Sequence, residues 1–112
     1  MKMDEKTSGD IVVLRLSGKI MGGPDASLLN DKLHELIEVG KTKVVVDLGS
    51  VEWMNSSGLG ILIGGLTTMR NSGGDLKLAN ITDRIQSLLM ITKLLTVFET
   101  FETIEEAAGS FN

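Results

Sequence analysis

The apolar residues of this chain change period along its length, from strand-like runs to helical spacing and back, and that change restricts the fold more than any other feature. Ile11-Val12-Val13-Leu14-Arg15-Leu16 is β-branched, mostly apolar and closed by Ser17-Gly18, which predicts a strand. Residues 3–8 alternate weakly and predict an edge strand paired to it. Gly22-Gly23-Pro24 marks a turn, after which Ala26, Leu29, Leu33, Leu36 and Ile37 follow helical spacing from Asp25 until Gly40 stops the helix. Val44-Val45-Val46-Asp47-Leu48 is then a short continuous run, as in a central strand covered on both faces. A loop from Gly49 to Asn55 holds the only tryptophan, Trp53. Ser56 or Asn55 caps the next helix, whose apolar positions are Leu59, Leu62, Ile63, Leu66 and Met69. Gly73-Gly74 is a turn and Asp75–Ala79 alternates as a further strand. Thr82 or Asp83 caps a helix that buries Ile85, Leu88 and Leu89, with Thr92 and Leu95 continuing that side. Val97-Phe98 predicts a last short strand, and Ile104 to Phe111 a terminal helix.

This order predicts an α/β fold: a four- to five-stranded, mostly parallel (mixed) sheet packed with about four helices and linked by right-handed crossovers. With 112 residues, 42% of them hydrophobic and 23% charged, the chain is expected to fold without staples as one domain over residues 1–112.

Composition closes several routes to chemistry. Cysteine and tyrosine are absent and histidine occurs once, which excludes a thiol nucleophile, a cysteine zinc site, a His-rich metal centre and a tyrosine acid catalyst. The single base candidate, His34, falls on the polar side of its helix beside Asn30 and Glu38, and no G-x-S-x-G occurs. Gly58, Gly60 and Gly64 form a G-x-G-x-x-x-G, but the preceding strand ends near Leu48, too far upstream for a dinucleotide loop. Small residues there are expected to let the helix lie close against the sheet. Asp4, Glu5 and Asp10, like Glu102, Glu105 and Glu106, read as solvated charge. No catalysis, cofactor or metal is expected. A net charge of −4 with 11 scattered basic residues argues against nucleic acid. The longest apolar stretch, Leu59–Leu66, is eight residues broken by three glycines, whereas a membrane span needs about 20. The first ten residues are polar and mixed in charge, so a soluble, cytoplasmic chain without membrane insertion is expected. Met69 and Met90 fall in helical patterns and are expected in the core; Met21 and Met54 lie in loops, where packing and exposure are both open.

One segment stands apart: Trp53-Met54-Asn55-Ser56-Ser57-Gly58. Read as a helix cap, it supplies Asn and Ser oxygens to the first free backbone N–H groups. Read as a docking site, it places tandem hydroxyls at the positive end of a helix, behind a Trp-Met pair, at the C-terminal end of a central strand where open α/β sheets meet their ligands.

At these residues the chain resembles the STAS domain family, and within it the bacterial anti-sigma-factor antagonists. Those proteins show a strand ending in Asp-Leu, a short loop, then Asp-Ser-Ser-Gly-Leu-Gly opening a helix; the stretch here runs from Val46-Asp47-Leu48 to Asn55-Ser56-Ser57-Gly58-Leu59-Gly60. Leu16-Ser17-Gly18-Lys19-Ile20 is similar to the family's Leu-x-Gly-x-Leu, and Gly73-Gly74-Asp75-Leu76 to its Gly-Gly-x-Leu. The resemblance implies a STAS-like fold and a partner switch. In the family the first serine is phosphorylated, with ATP, by a serine kinase that is itself the anti-sigma factor; the unphosphorylated form binds that kinase and frees the sigma factor, and a metal-dependent serine phosphatase resets the cycle. By position the acceptor is Ser56, with Ser57 its neighbour, and the partner surface comprises Met21, Gly22, Gly23, Asp25, Trp53, Met54, Asn55, Ser56, Ser57 and Gly58. Two departures are visible: Asn55 stands where the family usually has Asp, and Met21-Gly22-Gly23 where it usually has an acid, with Asp25 nearby. A second reading keeps the fold as a constitutive scaffold in a stress-sensing or transporter complex, with Asn55-Ser56-Ser57 acting only as cap and packing surface. A third, a small-molecule or nucleotide module, rests on fold analogy alone.

Overall fold

A computed structural model describes residues 1–111. Strand β1 (Lys2–Ser8) turns back at Gly9-Asp10 and pairs antiparallel with β2 (Ile11–Ile20). Three returns through helices then add parallel strands. Helix α1 (Pro24–Glu38) leads to β3 (Lys43–Met54), α2 (Ser56–Asn71) to β4 (Asp75–Ala79), and α3 (Asp83–Ile91) to the two-residue β5 (Thr100–Phe101). A short α4 (Ile104–Gly109) follows, and the sheet order is β1-β2-β3-β4-β5. The mixed five-stranded α/β architecture is the one the periodicity predicts. No helix among the described residues is long and apolar enough to cross a membrane.

The two faces of β3 explain its unbroken apolar run. Val44, Val46 and Leu48 join the main core with Leu29 and Leu33 of α1, Leu62 and Leu66 of α2, and Ile85 and Leu89 of α3. Val45 faces the other way, into a small cluster with Ala79 of β4 and Ala107 of α4. All four β3 residues are completely buried; each such Val or Leu contributes about 1.5–3 kcal/mol by leaving water. At the opposite end from α2, Lys43 reaches Asp10 at 2.7 Å, and that hydrogen bond holds the Asp10 carboxyl below the ordinary aspartate range.

The structure departs from the periodicity in five places. Strand β3 does not stop at Leu48: it runs through the expected loop to Met54, because its backbone stays paired with β2 up to Ile20↔Met54. Strand β2 likewise continues past Ser17-Gly18 to Ile20. Val97-Phe98 is not a strand; Phe98 is 4% exposed and plugs the core, and pairing begins only at Thr100. Helix α3 ends at Ile91, with Lys93 in the left-handed region (φ 62), and Met90 lies off the face that buries Ile85 and Leu89, 59% exposed rather than in the core. Helix α4 ends at Gly109, two residues short of Phe111. Met69, by contrast, is completely buried as expected.

Candidate functional site

Strand β3 delivers Asn55 to the start of α2 in an extended conformation (φ −106, ψ −177), which frees its side chain to turn back over the first turn. Its Oδ1 accepts a 2.8 Å hydrogen bond from the Gly58 N–H, and its carbonyl accepts the first helical bond, from Leu59, at 3.0 Å. Asn55, not Ser56, is therefore the cap. Ser56 and Ser57 occupy the first two helical positions, both exposed, and no side-chain hydrogen bond among the described residues engages either hydroxyl. They sit over unpaired N–H groups at the positive end of the helix, in a turn that contains no acid.

The rest of the site is assembled by close approach. A Cβ added at Gly58 would collide with the carbonyl oxygen of Ile20, so only glycine lets α2 start against the end of β2. Gly60 and Gly64 meet nothing of that kind: they stay open and line a groove of about 660 Å³ between α1 and α2, together with Ala26 and Ser57. The glycines thus serve close packing at Gly58 and leave space at the other two positions. Gly22, at φ 104, turns the chain between β2 and α1 so tightly that a Cβ there would lie 3.3 Å from that of Ser57. Met21, Gly22 and Gly23 are brought beside the serines in this way, with Met21 50% exposed. Asp25 is turned from them toward β1, its carboxylate 3.5 Å from the Met1 amino group. Met54 is 3% exposed: it packs behind the surface against Gly58 and is not part of the accessible face. Its neighbour Trp53 points outward, 41% exposed.

Three residues that sequence reasoning did not single out complete the region. The Arg84 guanidinium lies 4.8 Å from the centroid of the Trp53 ring. Lys19, exposed on β2, is the cross-strand neighbour of Trp53. Asp47, 3% exposed, accepts hydrogen bonds from the Gly49 N–H (2.9 Å), Asn80 Nδ2 (3.1 Å) and Arg15 Nε (3.3 Å), which fastens β3 to its neighbours below the site. The Asp in the apolar run was the available signal for Asp47; for Arg84 there was none, since only the β4–α3 crossover brings it over the tryptophan.

The STAS domain family model matches residues 2–107. An anti-sigma-B factor antagonist of Bacillus subtilis (strain 168) is 30% identical over 99 residues, 88% of this chain and 89% of the relative. The anti-sigma factor antagonist SpoIIAA in its unphosphorylated form matches with TM-score 0.72 at 19% identity, covering 98% of this chain and 96% of that one. The phosphorylated form of the Bacillus cell fate determinant SpoIIAA matches with TM-score 0.74 at 20% identity, covering 99% and 100%.

Proposed function

This chain belongs to the STAS domain family, and we propose that it is an anti-sigma-factor antagonist switched by phosphorylation of Ser56. The observation that carries the reading is the division of labour at the start of α2: Asn55 takes the cap and leaves two serine hydroxyls exposed and unbonded. Ser56 is taken as the acceptor because it holds the position of the first serine in the family's motif; Ser57, equally exposed, stands beside the Gly22 turn.

In the unphosphorylated state the serines, Trp53 and the Met21-Gly22-Gly23 turn form the surface that binds a serine-kinase anti-sigma factor, so that its sigma factor is released. In the kinase step the Ser56 Oγ attacks the γ-phosphorus of ATP, the bridging bond to the β-phosphate breaks, ADP leaves and the hydroxyl proton passes to a base of the kinase. A serine phosphatase returns the hydroxyl by hydrolysis. The added phosphate carries about −1.5 to −2 charges. The N-terminus of α2 accepts an anion without unfolding, while the docking face changes sign. Like-charge contact and desolvation cost several kcal/mol at an interface, and about 2.7 kcal/mol is a hundredfold in affinity.

The test is a pull-down from native lysate with wild type, Ser56→Ala and Ser56→Asp as baits, read by mass spectrometry. The expected result is capture of an ATP-binding serine kinase by the first two, lost with Ser56→Asp by about a hundredfold in subsequent titration. Equal affinity of all three forms would refute the switch, and equal capture of scaffold or transporter proteins would assign the domain to a constitutive complex.

A further inference from the structure

The Trp53–Arg84 pair is an awkward arrangement for stability alone. Arg84 stands in the first turn of α3, where the free N–H groups of the helix oppose a cation. It is exposed, and it covers the face of an indole that is itself 41% exposed. Lys19 flanks the ring from the neighbouring strand. Among the described residues neither cation is in an ion pair; Lys2, Lys6, Lys41 and Lys93 are likewise unpaired, so what sets Lys19 and Arg84 apart is the exposed aromatic ring beside them. A stacked Arg and an exposed Trp are the residue types that anchor protein interfaces.

We infer that the docking surface extends from the serines across the end of β3 to the start of α3, and that the Lys19–Trp53–Arg84 patch takes an acidic segment of the partner protein. Carboxylates of that segment meet Arg84 and Lys19 while an apolar side chain lies against the indole. Charge complementarity singles out this occupant. On a chain of net charge −4 an acidic polypeptide is repelled over most of the surface, and of the unpaired cations only Lys19 and Arg84 stand together beside an exposed aromatic ring. Glu52 and Asp83, both exposed, adjoin Trp53 and Arg84 in sequence, so the match is expected to a segment with a few carboxylates. The inference rests on the docking reading of this end of the sheet, but not on phosphorylation of Ser56.

Trp53 is the only tryptophan, so its emission reports on the patch directly. The full chain is titrated with a blocked heptapeptide, Glu-Asp-Leu-Phe-Glu-Asp-Glu, with the same peptide carrying Lys for every acid, and with single-stranded oligo-dT; anisotropy of a labelled peptide is the second readout. The expected result is a saturable change with the acidic peptide alone, weakened by salt. Arg84→Glu and Lys19→Glu are each expected to weaken it about tenfold, and Lys6→Glu, which makes the same charge change on exposed β1, to leave it unaltered. Glutamate in the first turn of α3 suits the helix dipole, so Arg84→Glu retains the helix, which circular dichroism checks. No saturable response to the acidic peptide, equal binding of the basic peptide or oligo-dT, or an Arg84→Glu chain that binds like wild type would overturn the inference. Because Ser56 is unmodified throughout, these outcomes are separate from success or failure of the Ser56→Asp bait.

Discussion

At the scale of single residues, the proposed switch needs Asn55 and Ser56 to take separate roles, cap and acceptor. A capping hydroxyl is held in a hydrogen bond and is a poor target for modification; with Asn55 Oδ1 on the Gly58 N–H at 2.8 Å, Ser56 is released from that duty. Asn55→Ala is expected to cost about 1 kcal/mol of stability, the usual value of a lost cap. Asn55→Asp keeps the oxygen and adds a negative charge at the positive end of α2, so it is expected to match or exceed wild type by a few tenths of a kcal/mol. Urea denaturation of the three chains measures both effects. Asn55→Asp less stable than Asn55→Ala would show that the cap is not what the residue supplies. The sequence left Asn55 and Ser56 as equal candidates for the cap, since both types accept from a free N–H. Only the extended backbone of Asn55 distinguishes them.

At the scale of elements, legibility follows burial. Helix α1 was readable because Leu29, Leu33 and Leu36 repeat their burial at the helical period, and strand β4 because apolar Leu76 and Leu78 alternate with polar Asp75 and Lys77, although Lys77 is buried as well. The second half of β3 was not, because Gly49, Ser50 and Glu52 are exposed and the segment is held by backbone pairing at Ser50, Val51, Trp53 and Met54, with irregularities at Gly49 and Glu52, and such pairing leaves no mark on side-chain pattern. Strand β5 has two residues and no period at all. Of Gly58, Gly60 and Gly64 only Gly58 is the close-packing residue the sequence predicts; Gly65, outside that motif, is buried against Leu33 and Leu76. Gly58→Ala would drive a methyl group into the Ile20 carbonyl; helix propensity returns about 1 kcal/mol, and displacing two backbones costs about 1–3 kcal/mol or more. Gly60→Ala meets nothing within 4 Å, so only the propensity gain remains, about 0.5–1 kcal/mol. Opposite signs for the two substitutions in thermal or urea unfolding are the expected outcome, and a destabilised Gly60→Ala chain would mean that the groove is filled in solution.

At the scale of the whole molecule, the sheet is covered unequally. One face carries α1, α2 and α3 over a continuous core, while the other carries the short α4 over Val45, Ala79 and Ala107. Lys77 secures that thinner layer: its Nζ reaches Ser110 Oγ at 2.7 Å and Glu99 at 2.9 Å, and it lies over the Phe111 ring. Hydrogen exchange is therefore expected to be fastest in β5 and α4 and slowest at Val44–Leu48, whose amides open only with global unfolding. The serines lie outside this gradient. Ser56 is solvent-exposed at a helix terminus, held by neither core cluster, so a charge placed there has no buried group to displace. Both the unphosphorylated and the phosphorylated structures of SpoIIAA match this same fold. Ser56→Asp is accordingly expected to leave the exchange rates of Val44–Leu48 at wild-type values while affinity for the partner falls. A loss of protection in β3 that parallels the loss of binding would mean that the charge acts by loosening the sheet. Unchanged protection would place the proposed switch in the surface alone, since the charge would then alter docking without altering the sheet.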